Sequence, residues 1–286
     1  MNAADLLDLP YDVRRLIVVS SGGQSAMDIG AHTSKDAEGE RRPLMRFAPL
    51  LMATPSLAIT AAAVTLLTSN FNRRAGDQGR LRLVSSDYAA EHLRFPVGHP
   101  RPKVVYVAHP VVRDVYIPVA RFHGYLFEHK VAEAMRLLRG LGAQSIDIVH
   151  VRGWGRETGF NLAVGIPGAE SVDASLRTES KTNSGTFIIS TAKLRPSDEP
   201  HMPDDLVWLP HEPLWQELAS ARLESGLASF SIDVGMFDDY GVNAGLKLMV
   251  AKAGLDAGGS FVEHESTIWR FTGTFYVDDE ETPPVQ

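Results

Sequence analysis

The residues able to do chemistry are scattered along this chain. Ten histidines are present and no cysteine. Zinc sites without thiolates need imidazoles and carboxylates at a spacing that brings them to one side of an element. His123 and His129 fall in and near a strong helical pattern. Six residues turn a helix by about 600°, which leaves the two side chains about 120° apart. They cannot share a ligand site within that helix. His211-Glu212 opens like a zinc-protease motif, but Pro213 follows, and Trp215 stands where a second histidine is required. Glu263-His264-Glu265 reads as a strand triplet, with the glutamates on one face and the histidine on the other. No metal site is expected from these spacings. The chain also has no Gly-x-Ser-x-Gly elbow, no convincing Ser-x-x-Lys pair and no phosphate-binding P-loop. Asp238-Asp239 precedes Tyr240-Gly241 and reads as a turn rather than an acid–base pair.

One loop has a chemical reading. Ser21-Gly-Gly-Gln-Ser-Ala-Met-Asp28 follows directly on an apolar run. Glycines after a buried strand let backbone N–H groups approach an anion, and a helix beginning there adds partial positive charge. Gly22, Gly23, Gln24, Ser25 and Asp28 are therefore the candidate ligand-binding residues. The string resembles the Gly-Gly-Gln-Ser/Thr-x-x-Asp loop of Rossmann-like nucleotide-binding proteins of the lysine-decarboxylase-like (LOG-type) group. The resemblance covers Ser21 to Asp28 and implies a parallel sheet of short βα units. It departs at Ala26, where that loop usually has a further glycine, and no succession of short βα units follows. The alternative is a tight strand-to-loop turn.

A second loop, His150-Val-Arg-Gly-Trp-Gly-Arg-Glu157, sets Arg152, Trp154 and Arg156 between glycines at a strand end. Such a tip can face a partner. It can equally be a connection whose Trp154 covers the sheet.

The elements that must position these residues are legible as periodicities. Arg15 to Ser20 reads as a buried strand, and Arg80–Ser86 and Lys103–His109 as two more. Phe47 to Asn72 carries no charge; Pro49 and Pro55 push the start of a helix to Ser56. From Ser56 to Asn70 such a helix spans about 22 Å, short of the roughly 30 Å of a bilayer. A buried helix is the plainer expectation, with membrane contact through 47–72 the other. From Pro118 to Arg139 apolar residues recur at three- and four-residue steps. Glu128, Lys130, Glu133 and Arg136 are expected on its other faces. Ser145 to Val151 follows as a strand.

Beyond Gly153 the pattern turns to period two: Phe160–Ile166, Val172–Leu176, Thr186–Ile189 after Asn183-Ser-Gly185, Phe230–Met236 and Trp269–Val277. Alternation of this kind marks antiparallel sheet with one wet face. Pro196, Pro200, Pro203, Pro210 and Pro213 mark an irregular connection. Short helices are expected from Pro213 and after Asn243. The fold class is therefore α+β: an α/β-like lobe over 1–153, an antiparallel strand-rich lobe over 154–277 with short helices, and a disordered acidic tail over 278–286. The two lobes can form one composite domain.

Composition narrows the function classes. With 286 residues, 44% of them hydrophobic and 22% charged, the chain can bury a core unaided. Lack of cysteine removes disulfides, thiolate metal sites and cysteine nucleophiles. The acidic opening Met1–Asp8 holds no apolar signal core, and the expected setting is cytoplasmic. A net charge of -7 disfavours non-specific binding to nucleic acid. Three readings follow. The first is a non-enzymatic binding or effector protein that works by assembly with itself or a protein partner, or at a membrane. The second is a nucleotide or small-ligand binder using Ser21–Asp28. The third is a hydrolase with dispersed His, Asp and Glu brought together by the fold. No cofactor is implied, and the lack of a catalytic motif favours the first.

Overall fold

The computed structural model describes residues 5–20, 61–75, 79–154, 187–195, 199–261 and 263–276. Two four-stranded sheets and a long helix between them organise the chain. The first sheet has the order β2-β1-β3-β4, with β1 Leu16–Ser20, β2 Leu81–Ser85, β3 Val105–Ala108 and β4 Tyr116–Pro118. β1 runs parallel to β2 and antiparallel to β3, and β3 runs antiparallel to β4. A parallel pair needs a crossover. The described part of this one holds a helix, α3 (Ala61–Arg74), numbered after the short N-terminal turns α1 (Asp5–Asp8) and α2 (Tyr11–Arg14).

Every residue of β1 is buried, because both faces of this sheet are covered. Ile17 and Val19 pack on one side with Val84, Ala89, Leu93, Tyr106 and Tyr116. Ala89 belongs to α4 (Ser86–His92), whose cap residue Ser85 accepts a hydrogen bond from the Tyr88 N–H. Leu16 and Val18 face the other way, into the main core.

The second sheet is wholly antiparallel, in the order β6-β5-β8-β7. Its strands are β5 Ala143–Arg152, β6 Phe187–Lys193, β7 Ser229–Met236 and β8 Thr267–Phe275. Ile146, Ile148, Phe230, Ile232, Val234, Trp269 and Phe271 point into the core. Between them stand exposed or half-exposed polar residues, among them Asp233 and Arg270, paired at 2.7 Å on the outer face. The period-two alternation of the sequence is this division.

Helix α5 (Phe122–Gly140) lies between the sheets and belongs to the same core cluster as both. It buries residues around most of its circumference, as a helix covered on two sides must. The remaining helices, α6 (Pro213–Ser225) and α7 (Ala244–Lys252), contribute Trp215 and Ala219, and Leu246 and Val250, to that cluster. The protein is a mixed α+β fold.

Several expectations need correction. Lys130 and Glu133 are buried, not on a solvent face. The proline-rich connection before α6 crosses this side of α5, and its backbone has no strand to pair with. The Glu133 carboxylate accepts the N–H groups of Val207, Trp208 and Leu209 at 2.8, 2.6 and 2.8 Å. Lys130 Nζ donates to the Gly235 carbonyl at 2.8 Å and pairs with Glu212 at 2.5 Å. It also sits over the rings of Trp208 and Trp215. Buried backbone donors must find acceptors, and α5 supplies them. Glu263-His264-Glu265 is not strand; β8 begins at Thr267. β5 is a central strand of the second sheet although it precedes Gly153. α3 buries one stripe (Val64, Thr68, Phe71) and exposes the opposite face, including Leu66. Among the described residues no helix is long and apolar enough to cross a membrane. The expected start of α3 at Ser56 and the strands expected over 160–176 lie outside the described residues.

Candidate functional site

The end of β7, the start of α5 and the segment entering β8 meet around two histidines. After Met236 the chain turns through residues 237–243 into α7. Asp238 Oδ1 accepts the Tyr240 N–H at 2.6 Å, and Asp239 Oδ1 accepts the Gly241 N–H at 2.8 Å. Asp side chains that bond the backbone two residues on make such turns. Tyr240 and Gly241 both take left-handed backbone, with φ of 48° and 69°. A Cβ at Gly241 would run into the Arg15 guanidinium, which donates to the Tyr240 carbonyl at 2.9 Å. Asn243 closes the turn by capping α7, its Oδ1 accepting the Leu246 N–H at 3.2 Å.

This turn delivers the Val242 carbonyl to His123, in the first turn of α5. His123 Nε2 lies 2.6 Å from that oxygen. A carbonyl only accepts, so the imidazole proton is on Nε2 and Nδ1 carries a bare lone pair. Burial holds the His123 pKa below the usual imidazole range, partly offset by the Val242 contact. The ring of His264 stands 4.9 Å from that of His123, and Trp154 packs against both at 6.2 and 6.5 Å. His123 Nδ1 and His264 Nε2 are both shielded, with no hydrogen-bond partner among the described residues. The Tyr11 hydroxyl, close enough to Asp238 and Tyr240 to feel their charge, is in the same condition. Burial lifts its pKa well above the usual phenol range.

Outside the buried rings of His123 and Trp154 lies an open depression of about 570 Å³ lined by Phe237, Asp238, Asp239 and the half-buried His264. The Asp239 carboxyl is held below the usual range by the Gly241 N–H, then by the Asn243 amide and the two imidazoles. Phe237 is 62% exposed. Its ring lies over Gly235, where any Cβ would strike it, and the Arg152 guanidinium covers it at 5.7 Å. A hydrophobic ring and two carboxylates thus share one concave surface, with a neutral imidazole buried behind it.

The loop expected to face a partner divides here. Arg152 is exposed and rests on the wall of the depression. Trp154 is buried instead, its N–H donating to Thr267 Oγ1 at 3.1 Å while its carbonyl accepts the Trp269 indole N–H at 2.9 Å. Gly153 permits that inward path, with φ of 78° and its missing Cβ only 2.6 Å from the Ser266 carbonyl. Arg156 and the loop residues Gly22, Gly23, Gln24, Ser25 and Asp28 lie outside the described residues. The Rossmann-like resemblance implies a parallel sheet. β1 and β3 are antiparallel instead, and β5 belongs to the other sheet. Sequence reasoning did not place His123, His264 and Asp239 together; their separation along the chain left no spacing signal. Among the described residues no three or more His, Asp or Glu side chains are grouped to hold a metal ion.

Fold and site define a two-sheet α+β protein with an acidic, aromatic-walled depression. Compared with protein-family profiles, curated proteins and solved structures, the chain has no match.

Proposed function

We propose that the chain is a non-enzymatic binding protein whose depression takes a positively charged, N–H-bearing group. The observation that carries this reading is the lining itself: exposed Phe237 beside the carboxylates of Asp238 and Asp239. A cation gains from the paired carboxylates, and the exposed apolar ring beside them can pack against the stem that carries the charge. A guanidinium or ammonium group fits this chemistry, free or on a basic side chain of a protein partner. The test is calorimetric titration with butylguanidinium and butylammonium at low salt. Saturable binding that weakens at least tenfold in Asp238→Asn supports the proposal. This substitution keeps the acceptor for the Tyr240 N–H and removes the charge. No saturable heat with either probe, or binding unchanged in Asp238→Asn, overturns it.

A second reading is favoured by one observation. The fixed tautomer leaves His123 Nδ1 as an unprotonated nitrogen near His264 and Asp239, a set that would activate water in a hydrolase if the site opened to expose that nitrogen. Turnover of a neutral ester or amide that disappears in His123→Gln, with the melting temperature retained, supports it. Absence of turnover across ester, amide and phosphate substrates rejects it.

A further inference from the structure

Further along α5, a second pair of histidines is wired into the connection that precedes α6. His109, just after β3, accepts the N–H groups of Val111 and Val112 on Nδ1, at 3.1 and 2.9 Å. Its own proton is therefore on Nε2, which lies 3.1 Å from His129 Nδ1. The Trp208 indole N–H donates to the same His129 nitrogen at 3.2 Å. His129 thus receives two hydrogen bonds on Nδ1 and carries its proton on Nε2. Both imidazoles are neutral and each has one tautomer open to it. A further proton on His129 must go to Nδ1, where it collides with the donors from His109 and Trp208. A further proton on His109 must go to its Nδ1, against two backbone N–H groups.

Among the surrounding charges Glu133 favours a proton on His129, but burial outweighs it. Arg14 from α2, Arg94 from the segment after α4, and Arg136 and Lys130 from α5 are all cationic. Of the carboxylates, Asp114 is bound to Arg94 through both oxygens, at 2.6 and 2.7 Å. Glu212 pairs with Lys130. Glu133 spends Oε1 on the N–H groups of Trp208 and Leu209, and Oε2 on that of Val207. Glu128, next to His129 in α5, is itself biased by burial toward its neutral form. Burial first, then His129, Arg14 and Arg94, hold His109 down to about 3; burial, joined by Arg136 and Arg94 and opposed by Glu133, depresses His129.

We propose that His109, His129 and Trp208 form an acid-released latch. It holds the segment 199–212 on α5 at neutral pH and frees it when His129 takes a proton. The segment's other ties include the His201 N–H to the Gly140 carbonyl, the three amides on Glu133, the Lys130 ammonium over the Trp208 ring and the Lys130–Glu212 pair. An imidazole returned to about 6.5 in the open form shifts the closed–open balance between pH 7 and pH 5 by up to about 25-fold. Release uncovers Trp208 and the α5 face beneath it.

Hydrogen exchange tests this. Protection of the 207–209 amides is measured at pH 7.0 and 5.0, corrected for intrinsic exchange and referred to β8. The expected result is a fall of at least about fivefold, up to the limit of about 25-fold for one imidazole, at pH 5.0 in the unmodified chain. In His129→Asn, whose amide oxygen can accept the indole N–H but cannot titrate there, the fall shrinks to less than threefold. An unmodified chain that loses less than threefold, or His129→Asn losing as much as the unmodified chain, overturns the latch. If His129→Asn does not fold by circular dichroism, Trp208→Phe carries the test. Without the indole donor, its 207–209 amides are expected to be under-protected already at pH 7.0. Protection and pH response equal to the unmodified chain overturn the proposal.

Discussion

Glu133 shows how a residue on a helix can be decided by a segment that comes some seventy positions later in the chain. Its carboxylate is the acceptor for three successive amides of the connection, at 2.6 to 2.8 Å. Glu133→Ala leaves those amides without their partner in a buried setting. A loss of roughly 3 kcal/mol in urea unfolding is expected; a loss under about 1 kcal/mol contradicts the clamp. Nothing in the local sequence marks this residue, because Glu at a helix position reads as solvated. The histidines give a second prediction. Burial lowers the pKa of His109, His123 and His129 in the folded chain. The folded state therefore favours the neutral ring, whereas the unfolded chain takes up a proton near pH 6.5. Stability from these groups is complete above about 6.5 and is lost as the pH falls from there toward about 3 for His109. The cost is about 1.4 kcal/mol per pH unit for each fully shifted ring. Urea midpoints at pH 7.5 and 5.0 should show the drop; an unchanged or higher midpoint at pH 5.0 contradicts it.

Elements were more legible than side-chain partners. β1, β3, β5, β7 and β8 follow their apolar runs, and α7 starts after Asn243 as its cap chemistry predicts. Asn243→Ala is expected to cost about 1 kcal/mol, read as a lower thermal midpoint. Gly153→Ala should cost more than about 1 kcal/mol, since φ is positive and the new Cβ meets the Ser266 carbonyl. An unchanged midpoint in that variant would remove the account of Trp154 turning inward. α4 and β4 escaped the sequence reading for a physical reason. α4 has one buried residue and β4 is three residues long, so neither produces a period. Pairing direction was illegible too. Apolar runs such as Leu16–Val19 show that a strand is covered on both faces, not which neighbours cover it.

At the scale of the whole molecule, α5 joins both sheets in one cluster of buried side chains. The two lobes suggested by the change of pattern near Gly153 share that core, and β5 enters the second sheet from the C-terminal end of α5. Leu138→Ala is expected to destabilise by about 2–5 kcal/mol and to weaken amide protection in β1 and β8 together. The candidate site depends on the same arrangement. His123 comes from the start of α5, Asp238 and Asp239 from the exit of β7, and His264 from the approach to β8. Asp238-Asp239 was readable as a turn, and it is one; its place in a concave surface came only with the fold. Arg152 reads in the sequence as part of a partner-facing loop tip and stands exposed at the end of β5, and Phe237 beneath it gives no signal.

The most direct test is to map where a cation binds. Chemical-shift perturbation with butylguanidinium is expected to move the His264 and Phe237 ring resonances and the 237–241 amides along one saturable curve. That curve should flatten in Asp238→Asn. Saturable shifts confined to other parts of the chain, or none at all, contradict a cation-binding depression.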